Sequence, residues 1–175
     1  MLRVTHKLHC GRLFNPLLTL LLMLLMTGCF SAKDSSTLTL ISGVTVDMGA
    51  KPLLVINYWA PWCKPCHEEV PELNAFANSD QITLLGVNFD ALTGVYSVPE
   101  LQAQVSELNI DFGVLDSESS RALESHWQLA RPNGLPTTYI VSAEGQLLST
   151  LLGPQTQQTL SVALTQAKQL MRSAE

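Results

Sequence analysis

A chain of 175 residues with ten Lys+Arg against fifteen Asp+Glu carries a formal net charge of −5, which argues against nucleic acid as a partner and against broad contact with anionic membrane surfaces. Its length and 46% hydrophobic content fit one domain able to bury a core, and exclude a disordered or fibrous chain. Four cysteines are too few for a disulfide-rich scaffold, so their positions decide the chemistry.

Residues 1–28 read as a lipoprotein signal peptide. Arg3, Lys7 and Arg12 form a basic start, and Leu17 to Met26 is an apolar run too short to span a bilayer comfortably. The run closes on Met26-Thr27-Gly28-Cys29, which resembles a bacterial lipoprotein signal, where cleavage before Cys29 leaves that cysteine as the lipidated N-terminus. Ordinary cleavage nearby and an uncleaved short anchor are the alternatives, and all three place the remainder outside the cytoplasm. Phe30, rather than Asp, behind the lipidated position favours the outer over the inner membrane. Residues 29–36, rich in Ser, Lys and Asp, read as a tether. On the lipoprotein reading Cys10 is removed and Cys29 carries lipid, which leaves Cys63 and Cys66 as the remaining thiols, in a chain with seven basic residues against fifteen acids.

From residue 37 to 172 strand and helix signals alternate, the mark of an α/β layer structure. Thr37 to Ile41 alternates as an early strand, and Gly43 to Lys51 reads as a hairpin-like connection. Leu53 to Ile56 is a buried strand, and Val70, Leu73, Phe76 and Ala77 give a helical period from Cys66 through Ala77. Gln81 to Asn88 is the next strand. Ser97 and Glu100 have capping-box spacing around Pro99 and predict a helix to Leu108. Phe112 to Leu115 is a short strand, and Ser117 to Trp127 a helix. Thr137 to Val141 and Leu147 to Leu152 are strands joined at Glu144-Gly145, and Thr156 to Met171 closes the chain as an amphipathic helix.

Two motifs carry chemistry. In Trp59-Ala60-Pro61-Trp62-Cys63-Lys64-Pro65-Cys66 the cysteines stand between a strand and a helix, so Cys63 falls at a helix N-terminus. Unpaired backbone N–H groups and the helix dipole there favour a thiolate, with Lys64 and His67 adding positive or polar character. In Gly134-Leu135-Pro136-Thr137 a proline opens a strand, which can be simple punctuation. Beside a Trp-Cys-x-x-Cys motif, it predicts a cis Leu135–Pro136 bond facing the dithiol and exposing the Leu135 backbone to an extended substrate segment.

Together with Asn57-Tyr58, Glu69-Val70-Pro71 and Thr138-Tyr139, these motifs resemble the TlpA/ResA/DsbE family of membrane-tethered, extracytoplasmic thiol-disulfide oxidoreductases, over roughly residues 37 to 172. The resemblance implies a thioredoxin-like fold: a central mixed β-sheet flanked by helices, with an N-terminal β-hairpin and a central αβ insertion. It implies that Cys63 is the attacking, solvent-facing thiol and Cys66 the resolving thiol, that Trp62 shields one side of the pair, and that Leu135 and Pro136 dock substrate. Lys64, Pro65 and Glu69 then modulate the pair; Glu69 matches a buried acid of ResA-like members, or is one solvated carboxylate of the run Glu68, Glu69, Glu72. Asn57 departs from thioredoxin, which has an acid at this place, and Pro71 reads as a helix kink. Arg131, in a loop unlike the usual approach to the cis-proline, either contacts a partner or is a solvated charge.

The implied partners are disulfide-bearing exported proteins, apocytochrome c among them, a membrane electron donor of the DsbD/CcdA type, and the membrane through the lipid. No cofactor or metal is expected. A copper-binding module and a thiol peroxidase are the competing classes. Only His67 and His126 remain beyond the signal for the first, and no Thr-x-x-Cys precedes Cys63 for the second.

Overall fold

The computed structural model describes residues 37–173; the expected signal peptide and tether, including Cys29, lie outside the described residues. β1 (Thr37–Thr39) and β2 (Thr45–Asp47) pair antiparallel as a separate two-stranded sheet, the expected hairpin. The main sheet has the order β5-β4-β3-β6-β7. β3 (Leu53–Trp59), β4 (Ile82–Asn88) and β5 (Gly113–Val114) run parallel, while β6 (Thr137–Ser142) lies antiparallel to β3 and β7 (Leu147–Leu152) antiparallel to β6. Four helices complete the described domain: α1 (Lys64–Ala77), α2 (Val98–Glu107), α3 (Ser117–His126) and α4 (Gln157–Ser173). This is a thioredoxin-like fold, with α2, β5 and α3 in the stretch between β4 and β6 where the insertion is expected.

All seven residues of β3 are buried because strands pair on both its sides and two apolar layers cover its faces. Alternation along the strand sends Leu53, Val55 and Trp59 to one layer, with Val70, Leu73, Leu160 and Leu164. Leu54, Ile56 and Tyr58 go to the other, with Leu85, Val87, Leu123 and Val141. Each such aliphatic side chain contributes about 1.5–3 kcal/mol of transfer free energy. Trp59, at 2% exposure, is a packing residue.

Element boundaries follow local chemistry. Ser97 caps α2 with the expected box, its N–H donating to Glu100 Oε2 at 2.7 Å. Helix α1 begins at Lys64, two residues before the start that apolar spacing indicates. The first turn is Lys64 and Pro65, both exposed, and proline suits a first turn because its missing N–H has no intrahelical acceptor there. Pro71 lies inside α1 and withholds the N–H that would bond to the carbonyl four residues earlier, yet the helix runs on to Ala77. The β6–β7 turn needs Gly145: its φ is +87°, and a Cβ there would stand 2.2 Å from the Trp127 ring.

Candidate active site

The register of the main sheet decides which loops meet. Tyr58 pairs with Thr137 across the antiparallel β3–β6 ladder, so the segment leaving β3 and the segment entering β6 lie at the same end of the sheet. The first carries Trp62 and Cys63; the second carries Leu135 and Pro136. The Leu135–Pro136 peptide bond is cis, as expected. Pro136 is buried and Leu135 half-buried, packed against the layer that holds both cysteines.

Cys63 is the N-cap of α1, and no side chain caps that helix end. Its carbonyl accepts from the Cys66 N–H at 3.0 Å, which starts the helix. The two sulfurs are joined in a disulfide of 2.10 Å, with the Cα atoms 5.3 Å apart. Cys63 is 4% exposed and Cys66 2%, so in the disulfide form both cysteines are buried and Cys63 does not face solvent. Trp62 is 64% exposed, and its indole N–H donates to Asp90 Oδ2 at 2.8 Å, which ties the ring to the segment that follows β4. The Asp90 backbone N–H in turn donates to Asn88 Oδ1 at 3.0 Å. His67 is half-buried, its ring nitrogen 2.8 Å from the Pro61 carbonyl.

Glu69 resolves to the buried alternative, at 1% exposure, while Glu68 is exposed and Glu72 half-buried. It lies three residues after Cys66 in α1, a separation that puts two side chains about 5–6 Å apart at Cβ on one helix face. Asn57 Nδ2 donates to Glu69 Oε1 at 2.8 Å, and the Gln155 backbone N–H donates to Oε2 at 2.9 Å. Asn57 also donates to Thr138 Oγ1 at 3.1 Å, so both its amide hydrogens are engaged. Burial pushes the Glu69 carboxyl up to about 7, against the two donors, which favour its charged form.

A groove of about 590 Å³ runs beside the cis-proline, lined by Arg131, Leu135, Pro136, Tyr139, Leu152 and Gly153. Arg131 borders it as expected, with an exposed side chain. Its guanidinium donates to Glu124 Oε2 at 3.2 Å and lies 5.9 Å from the centroid of the Phe89 ring. No cluster of three or more metal-ligating side chains occurs among the described residues.

One contributor, Gln155, escapes sequence reading. Gln155 acts through its backbone, which leaves no side-chain signature. Asn57 is more legible, as an amide at an inward position of an apolar strand requires a buried partner.

A mixed sheet, a Cys-x-x-Cys opening the helix after its central strand and a cis-proline at the same sheet end define a thioredoxin-fold protein with a dithiol/disulfide site. The chain belongs to the AhpC/TSA family, whose model matches residues 31–149. It is similar to the thiol:disulfide interchange protein HelX of Rhodobacter capsulatus, with 26% identity over 66% of this chain and 60% of that protein. It is also similar to the thiol-disulfide oxidoreductase ResA of Bacillus cereus, with 24% identity over 60% of this chain and 57% of that protein. The match therefore spans about three fifths of these relatives' length. The crystal structure of StoA from Bacillus subtilis superposes with a TM-score of 0.58 at 20% identity, covering 73% of this chain and 94% of that one, and agrees in fold.

Proposed function

We propose that this protein is an extracytoplasmic thiol-disulfide oxidoreductase that reduces disulfides of exported proteins through Cys63 and Cys66. The observation that carries the reading is the Cys63–Cys66 pair at the uncapped N-terminus of α1, at the same end of the sheet as Leu135–Pro136. The relatives named as thiol-disulfide oxidoreductases and as a thiol:disulfide interchange protein support it.

In the reduced protein, the Cys63 thiolate, favoured by the first-turn N–H groups, attacks one sulfur of a substrate disulfide. The substrate S–S bond breaks, a mixed disulfide forms, and the departing thiolate takes a proton. Cys66 then loses its proton and attacks Cys63 Sγ; the second substrate thiolate leaves and is protonated, and the Cys63–Cys66 disulfide remains. Two electrons pass to the substrate, and the two protons lost by the cysteines balance those gained by its thiols. Glu69, one turn beyond Cys66 and with a carboxyl that titrates near neutrality, is suited to accept the Cys66 proton, a task the amide of Asn57 cannot perform. An extended substrate segment lies against Leu135, with Trp62 on the opposite side of the pair. A membrane donor of the DsbD/CcdA type restores the dithiol, Cys29 anchors the domain by lipid, and apocytochrome c is the client class the resemblance points to.

Trapping tests the reading. With Cys66→Ser, Cys63 is expected to hold exported proteins as mixed disulfides on non-reducing gels, and these vanish with dithiothreitol. If no Cys63-dependent species forms, the client-reductase role is lost. Cys29→Ser is expected to release the protein from membranes, and a variant that stays bound overturns the lipid anchor.

A further inference from the structure

Three hydrogen bonds meet in the connection between β7 and α4. The Gly153 N–H donates to the Pro136 carbonyl at 2.9 Å, the Gln155 Nε2 donates to the Gly153 carbonyl at 2.7 Å, and the Gln155 N–H donates to Glu69 Oε2 at 2.9 Å. Gly153 has φ +78° with no atom within 4 Å of a Cβ built on it, so what the position demands is a left-handed backbone, which glycine adopts without strain. Gln155 is buried at 8% exposure.

These bonds are not needed to begin α4. Thr156 and Thr159 cap that helix reciprocally, with Thr156 N–H to Thr159 Oγ1 at 2.9 Å and Thr159 N–H to Thr156 Oγ1 at 3.2 Å. The Gln157 N–H goes to Glu72 Oε2 at 2.9 Å. Gln155 therefore stands ahead of a helix end that is already satisfied, and its N–H serves Glu69.

We propose that Gln155 is a positioning residue for thiol-disulfide exchange: its N–H sets the Glu69 carboxylate beside Cys66, and residues 153–155 join that carboxylate to the Pro136 carbonyl in one hydrogen-bonded unit. The acid that serves the resolving cysteine and the strand that docks the substrate are thereby held in fixed relation. The proposal rests on the reading of Cys63/Cys66 as an exchanging pair. Around Glu69, its own helix carries the titratable groups Lys64, His67, Glu68 and Glu72, while Cys63 and Cys66 are joined in the disulfide. β3 and β6 bring the neutral Asn57 and Thr138. α4, packed on α1, carries Lys168, engaged with Gln81, and Arg172, which bonds to the Lys168 carbonyl.

The test titrates Glu69 by carbon-13 NMR in the full-length disulfide form, which needs no turnover, and pairs it with the pH profile of reduction of oxidised glutathione by the dithiol form. Gln155→Pro removes the N–H that donates to Glu69. Losing one of two donors to a buried carboxylate is expected to move its midpoint upward by about one pH unit. The exchange profile is expected to follow, and to stop responding to Gln155→Pro in a Glu69→Gln background. A folded Gln155→Pro variant with an unmoved carboxyl titration overturns the proposal. If that variant does not fold, the wild-type Gln155 amide decides by nitrogen-15 NMR: its proton shift is expected to titrate with the Glu69 midpoint, and an amide that does not follow that titration overturns the proposal. A wild-type protein no more active than Cys63→Ser refutes the exchange reading itself, whereas an active wild type with an unshifted variant refutes only the role of Gln155.

Discussion

Asn57 and Tyr58 are neighbours in β3, yet they enter opposite layers of the domain, and each meets a carboxylate there. On the Asn57 face, Glu69 is buried with donors on both oxygens, from Asn57 and from Gln155. On the Tyr58 face, Glu124 gives one oxygen to Arg131, while its Oε1 is buried without a hydrogen-bond partner. The Tyr58 hydroxyl, close to Glu124, likewise reaches no partner in hydrogen-bonding geometry, and burial raises its titration above the ordinary phenol. The difference lies in what balances the charge. Glu124 has a cation at the domain surface and holds Arg131 in the loop that leads to Pro136. Glu69 has only neutral donors, so burial outweighs them and leaves a proton that can move near neutral pH.

The contrast is broken most strongly by pH. The native state keeps the Glu69 proton between about pH 4.5 and 7, where the unfolded chain has released it, so stability falls as pH rises through that window and is level above it. The expected loss is about 3 kcal/mol. Denaturant titrations of wild type and Glu69→Gln across this range check it, with the slope absent from the variant. Asn57→Ala strips the donor from Glu69 Oε1 and from Thr138 and is expected to cost about 2 kcal/mol, read in urea at pH 8. On the other face, Arg131→Ala removes a half-exposed ion pair and the contact with Phe89, and a melt is expected to show a loss of about 1 kcal/mol. Tyr58→Phe deletes a hydroxyl without a protein partner and is expected to change stability by less than about 1 kcal/mol, in contrast to Asn57→Ala one residue away.

Much of this architecture is legible in the sequence, since periodicity and caps are local. The β6 and β7 starts, the Ser97 cap and the strand–dithiol–helix junction follow from residues adjacent in the chain. The first turn of α1 escapes apolar spacing because Lys64 and Pro65 are exposed. For Glu69, the run with Glu68 and Glu72 suggests a solvated face, whereas helical spacing puts it between Cys66 and Leu73 on the buried one. That conflict resolves only once Asn57, distant by 12 residues, is seen to donate to it. The Gln155 bond spans 86 residues and uses a backbone N–H. The Arg131–Glu124 pair likewise depends on where α3 packs relative to the loop after it.

The reduction potential of the Cys63/Cys66 pair, equilibrated against glutathione or dithiothreitol, tests the central claim most directly. A disulfide reductase predicts a value near that of thioredoxin, about −270 mV or somewhat above, and a value near the strong-oxidant end, about −120 mV, contradicts it by making the protein a disulfide donor.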